Sequence, residues 1–257
     1  VISPGLARPN DIGSEYVRIC LLSDSLSMPR LPEAGNITYE QTYPYKLTQL
    51  FAEQIHNQHF QVIPLASRGR TIVNTYQSLQ NELFQYRPLI TVLQVGIVDC
   101  APRVFTPREH RLVNRMGPLK EPILKFVHVH RRRIIATLPP KVYVSLKEFS
   151  TTARKLKGAV LAYGSALVVV NIAPTCPETA HRSPDLERNI LRYNKALAAI
   201  CGENVPLVDI FAAIQQQGIK RMILDDGIHL SAPGNALVAN MLRQKILSVM
   251  NRLTEKK

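Results

Sequence analysis

No run of about 18 apolar residues occurs in the 257-residue chain, so no transmembrane helix is expected. The longest apolar stretch, around Ala166 to Val170, has the length of a strand. No basic-then-apolar secretory signal opens the sequence, and the expected compartment is the cytoplasm. Cysteine is sparse. Cys20, Cys100, Cys176 and Cys201 are widely spaced with no CxxC pair, which argues against a zinc ribbon or a dense disulfide scaffold and for reduced thiols. Phosphate loops of the GxGxxG or GxxxxGK type are missing. Acidic residues are few, 19 against 32 Lys and Arg, for a net charge of +13. What is present suffices for a fold. At 46% hydrophobic and 20% charged residues the chain can bury a sizeable core, which excludes wholesale disorder. The length suits one α/β domain over residues 1–257, and no linker divides it.

The positive charge is concentrated. Residues 101–160 carry 14 Lys and Arg against 3 Asp and Glu, and the remaining residues carry 18 against 16. Such a segment attracts anionic partners or serves as a solvated helical face. Nucleic acid is not expected, because few aromatics interleave with the basic residues and no zinc-finger or RNA-binding signature occurs.

Short apolar runs alternate with helical spacing. Strands are expected at Tyr16 to Leu22, Phe60 to Leu65, Leu89 to Val95, Leu167 to Ile172 and Val205 to Val208. Helices are expected at Tyr45 to Ile55, Thr71 to Tyr86, Asp185 to Ile200 (with Ser183 as N-cap and Pro184 in the first turn) and Ala232 to Leu253. This alternation predicts a three-layer α/β/α fold around a five-stranded, mainly parallel sheet. The gap between the third and fourth strands is too long for a simple crossover. Residues 102–143 are therefore expected to form a basic helical insertion, with helices at Pro107 to Arg115 and Glu121 to Ile135, before a crossover helix at Ser145 to Tyr163.

In such sheets chemistry gathers at the carboxyl ends of the strands. Ser23-Asp24-Ser25-Leu26 directly follows the first strand, where a serine hydroxyl can enter the cleft and the next backbone N–H groups can face an oxyanion. Taken alone, the segment is equally a helix cap or a turn. Asp226-Gly227-Ile228-His229 precedes the last helix. Its carboxylate can hold one imidazole nitrogen and leave the other free to accept a serine proton. A turn aspartate followed by a capping histidine fits the same residues. Gly69 and Gly96 follow the second and third strands, where the chain must bend near a ligand or simply leave the sheet. His128 and His130, two apart, fall on different faces of a helix. His56 and His59 could share one, but nothing completes a ligand set, so no metal and no cofactor are expected.

These blocks, in this order, resemble the SGNH (GDSL-type) hydrolases over about Tyr16 to Leu253. By that resemblance Ser25 is the nucleophile, Gly69 and Ser25 supply backbone oxyanion donors, and Asp226 and His229 complete a triad. Gly96 and Asp99 match the ends of the family's GxND block, while Val98 stands at its asparagine and has no hydrogen-bond donor. Either Asn74, Arg68 or Arg70 substitutes, or the two backbone donors suffice for a slower reaction, or catalysis has been lost.

The resemblance implies acyl transfer from an ester through an acyl-enzyme. The insertion is basic rather than oily, which argues against a triglyceride lipase. Its Arg131, Arg132 and Arg133 are candidates for binding a substrate, including an anionic one such as an acidic glycan. The expected function is an O-acyl (acetyl) esterase acting on carbohydrate or polysaccharide. The alternatives are an O-acyltransferase using the same residues and a catalytically weak glycan-binding module.

Overall fold

The computed structural model describes residues 16–53, 59–137 and 141–255. Five strands form one sheet: β1 (Tyr16–Ser23), β2 (His59–Ala66), β3 (Ile90–Gln94), β4 (Ala166–Val170) and β5 (Leu207–Val208). Their order is β2-β1-β3-β4-β5, and every pairing is parallel. Every residue of β3 is buried, as are four of the five in β4. This explains why these segments read as mainly apolar runs without a strict polar alternation, since both faces of the sheet are covered. Ser23 pairs with Ala66 on one side and with Gln94 on the other. The chain therefore leaves β1, β2 and β3 at one level, and the segments that follow meet at a common edge.

The helices are α1 (Tyr43–Ala52), α2 (Ile72–Ser78), α3 (Ile97–Cys100), α4 (Pro107–Asn114), α5 (Lys120–Thr137), α6 (Leu146–Tyr163), α7 (Pro177–Arg182), α8 (Leu186–Ala198), α9 (Ile210–Gln217), α10 (Ile219–Met222) and α11 (Ala232–Glu255). On one side α1 packs on β2 and α11, and α11 reaches β4 and β5; on the other, α6 lies against β4 between α2 and α8. The result is the three-layer α/β/α arrangement. Helix α6 starts where the Ser145 hydroxyl accepts the Glu148 N–H at 3.2 Å, an N-cap worth about 1 kcal/mol. It buries Phe149, Ala153, Leu156 and Val160, a three-and-four spacing that turns one face to the sheet.

Several local expectations change. The helix expected over Thr71 to Tyr86 is α2 followed by a wider π turn, Leu79–Leu83, and a 3-10 turn, Phe84–Tyr86. These turns bury Leu79, Leu83 and Phe84 before the chain reverses at Arg87, whose φ is +48°. Asp185, not Ser183, is the N-cap of α8, with φ +66°, so Pro184 precedes the helix instead of lying in its first turn. His59 opens β2 and is not in a helix; Ile55 and His56, which the expected pairing and helix also involve, lie outside the described residues.

Between β3 and α6, segment 102–143 holds α4, a 3-10 turn at Gly117–Leu119, and α5. Its ends are tied, since the Arg103 N–H donates to the Lys141 carbonyl at 2.8 Å. The Lys141 ammonium also meets both carboxylate oxygens of Glu109, at 2.8 and 3.0 Å. No residue of α5 is buried, and Phe126 and Val129 are exposed.

Candidate active site

After β1 the chain turns through a single 3-10 turn, Ser25–Ser27. Asp24 caps it, its Oδ1 accepting the Leu26 N–H at 2.9 Å, while the Asp24 N–H donates to the Gln94 carbonyl at 3.3 Å. Thus Asp24 takes the capping role and leaves the Ser25 hydroxyl uncommitted to the turn. Burial pushes the Asp24 carboxyl up to about 6, against the pull of the Leu26 N–H.

Ser25 Oγ lies 2.9 Å from His229 Nε2, although 204 residues separate them. On the other side of the ring, His229 Nδ1 lies 2.6 Å from Asp226 Oδ2. The turn carrying both residues is closed by Asp226 Oδ1, which accepts the Ile228 and His229 N–H groups, each at 2.9 Å. Burial alone would raise the Asp226 carboxyl, but the imidazole and these two N–H groups outweigh it and hold the carboxyl well below the usual carboxylate range. Gly227 has φ +74°, and a Cβ there would stand 2.0 Å from Thr179 Oγ1, so α7 packs directly on the turn. The Thr179 hydroxyl donates to the Asp226 carbonyl at 3.1 Å, and the Thr175 hydroxyl to the Gly227 carbonyl at 2.7 Å.

Ser25, Gly69, Val98, Asp226 and His229 line one open cavity of about 570 Å³. Among the described residues neither the Ser25 N–H nor the Gly69 N–H meets an acceptor. Gly69 has φ +72°, a conformation suited to turning its N–H away from the sheet ladder. Val98, on α3, presents an apolar side chain to the same space. The three suggested substitutes lie elsewhere. Asn74 Oδ1 accepts from the Thr71 hydroxyl at 2.7 Å and completes the capping box of α2. Arg70 is buried, bound to the Leu65 carbonyl, the Ser78 hydroxyl and the Glu82 carboxylate. Arg68 reaches the Pro29 carbonyl at 3.4 Å. All three line a separate cavity of about 430 Å³ that shares only Gly69 with the first. Of the arginine run, Arg131 lines the Ser25 cavity while Arg132 and Arg133 are exposed, because successive helical residues point about 100° apart.

Sequence reasoning missed Arg30. Its Nη1 donates to His229 Nε2 at 3.0 Å and its Nη2 to Asp226 Oδ2 at 3.4 Å. A guanidinium can only donate, so Nε2 is an acceptor here and the ring proton sits on Nδ1, facing Asp226. Two donors, the Ser25 O–H and the Arg30 N–H, thus converge on one lone pair. Arg103 and Arg182 line the cavity and were also missed. One signal was available for all three: each lies in a segment that follows the carboxyl end of a strand.

The sequence profile of the GDSL-like Lipase/Acylhydrolase family matches residues 24–237. The chain belongs to that family and is an SGNH-type esterase. Solved structures with the same fold include a lipase/acylhydrolase from Enterococcus faecalis, with TM-score 0.63 and 14% identity over 90% of this chain and 95% of that one. An acetyl xylan esterase from Geobacillus stearothermophilus gives 0.61 and 16% over 90% and 94%. The esterase EstA from Pseudoalteromonas sp. gives 0.58 and 15% over 91% and 98%. No curated protein matches the chain by sequence.

Proposed function

We propose that the protein is an O-acyl (acetyl) esterase acting on carbohydrate, with Ser25 as nucleophile, His229 as general base and Asp226 as its orienting carboxylate. The observation that carries the reading is the continuous relay from Ser25 Oγ through His229 to Asp226, at 2.9 and 2.6 Å, opening on the cavity. As Ser25 Oγ attacks the ester carbonyl carbon, His229 Nε2 takes the hydroxyl proton and Asp226 stabilises the imidazolium. The carbonyl oxygen becomes an oxyanion facing the Ser25 and Gly69 N–H groups. Collapse of this intermediate breaks the bond to the sugar oxygen, which takes the proton from Nε2, and leaves acyl-Ser25. Water, deprotonated by the same nitrogen, then releases the carboxylic acid and restores Ser25. An alcohol in place of that water would make the protein an acyltransferase. For Nε2 to accept the proton, Arg30 has to give up its share of the lone pair.

The acetyl xylan esterases among the structures of like fold support an acetyl group on a sugar. The arginines along the cavity argue against a long acyl chain. The four free cysteines, with no disulfide among the described residues, suit the cytoplasm. One observation favours a second reading, a catalytically weak glycan-binding module: Val98 where the family's asparagine would donate. The test is labelling with a serine-reactive phosphonate and hydrolysis of an aryl acetate by the wild type and Ser25→Ala. The esterase reading expects both activities to vanish in the variant. Full labelling of Ser25→Ala would move the nucleophile to another serine, and no hydrolysis by the wild type would favour the binding module.

A further inference from the structure

The cavity beside Ser25 has an unbalanced charge. Arg103, Arg131 and Arg182 line it, and among the described residues Asp226 is its only lining carboxylate. Asp226 is already engaged by His229 and Arg30. Among the described residues no carboxylate comes within 4.0 Å of any of these three guanidinium groups. Glu178, on the same helix as Arg182, is bridged to Lys220 at 3.1 Å.

Two of the arginines are held in place by neutral groups. Arg131 Nη2 donates to the Pro102 carbonyl at 2.8 Å. Arg103 lies over the Tyr143 ring at 4.5 Å from its centre, with Nη2 3.5 Å from the Val98 carbonyl. Its Nε is buried without a hydrogen-bond partner. Burial and the neighbouring Arg103 charge both work against the charge on Arg131. Like charges gathered without a counterion repel one another, and guanidinium groups match planar or tetrahedral oxyanions.

We propose that Arg103, Arg131 and Arg182 form a subsite for an oxyanionic substituent, a carboxylate or a phosphate, carried by the same sugar whose ester reaches Ser25. The proposal rests on the esterase reading for what occupies the rest of the cavity. Binding of the anion supplies the missing countercharge and orients the ester toward Ser25. The protein would thereby prefer acidic sugars to neutral ones.

The test uses equilibrium binding, so that it does not depend on turnover. Calorimetric titrations of the full chain at low ionic strength compare methyl glucoside, methyl glucuronoside and glucose 6-phosphate. At least one anionic sugar is expected to bind tenfold or more tightly than the neutral one, and the tighter of the two identifies the group. Arg103→Gln and Arg182→Gln should each reduce that preference about tenfold. Arg182 is exposed and makes no ion pair among the described residues, so its variant tests the subsite even if Arg103→Gln fails to fold. Equal binding of neutral and anionic sugars, or no binding of either anion, overturns the subsite. A preference for anions in a protein whose Ser25 resists the phosphonate keeps the subsite and rejects the esterase reading.

Discussion

Val98→Asn should speed the enzyme. Val98 lies on α3, just past the carboxyl end of β3, is 8% exposed, and faces the cavity shared by Ser25 and Gly69. On the proposed mechanism an oxyanion there would meet two backbone donors and a hydrocarbon. Asn74, Arg68 and Arg70 are committed to the α2 cap, the Pro29 carbonyl and the Glu82 pair, and none of them lines this cavity. One oxyanion donor is worth about 10²–10³ in kcat, or ~3–4 kcal/mol. An amide installed without its customary supporting contacts should recover part of that, so kcat on an aryl acetate is expected to rise about tenfold to a hundredfold. KM should move little, because the new hydrogen bond strengthens only as charge develops. Replacing valine by a polar group costs about 1–2 kcal/mol of stability, since the amide faces solvent on the cavity side. The midpoint of thermal unfolding should accordingly fall by a few degrees. Steady-state kinetics with Ser25→Ala as the blank, beside a melting curve, decides the matter. An unchanged kcat in a variant that melts normally would mean that another donor already fills the third position, and the two-donor description would be wrong.

Other outcomes follow from contacts around the site. Arg30→Met removes one of the two donors on His229 Nε2, and phosphonate labelling of Ser25 should accelerate about threefold to tenfold; slower labelling would make Arg30 a positioning residue for the imidazole. Asp99 is fully buried, with Oδ1 on the Ile72 N–H at 2.9 Å and Oδ2 unpartnered. Burial pushes its carboxyl up to about 7. The folded protein therefore keeps a proton that the unfolded chain loses near pH 4. The resulting stability is complete below about pH 4 and fades as the pH rises through about 7, by up to about 4 kcal/mol. In Asp99→Asn the decline in melting temperature between pH 4 and pH 8 should become shallower, with Asp24 accounting for what remains; parallel curves for the two proteins would refute the assignment.

The parts of this molecule that are legible in its sequence are those governed by neighbours along the chain. β1, β3 and β4 are short apolar runs because both faces of the sheet are covered, and the Ser25 and Asp226–His229 segments announce themselves by following or preceding such elements. The π turn at Leu79–Leu83 and the positive φ of Asp185 left no such mark, because each answers to packing around it. Arg30 shows the limit most plainly. It contacts a histidine 199 residues away, and only the tertiary fold brings the two together. Arg131 stood out in the sequence within a run of three arginines, yet only the rotation of α5 separates it from Arg132 and Arg133. Arg103 and Arg182 belong to no run, and they join Arg131 only through the tied ends of the insertion and the seat of α7 under the Asp226 turn.

The strand order has a bearing on how the protein is made. With β1 flanked by β2 and β3, and β4 and β5 added in turn beyond β3, each new strand leaving the ribosome finds an open edge to join. No strand has to be wedged between two that are already paired. The final helix behaves differently: α11 must settle against α1, where Asn235 Oδ1 accepts the Tyr43 N–H at 2.9 Å. Ser25 is thus translated 204 residues ahead of His229, and the 2.9 Å contact between them cannot form until the Asp226–His229 turn has also left the ribosome. A nascent chain can hold a nearly finished sheet and still be chemically silent, so the onset of labelling at Ser25 would time the closing of the fold.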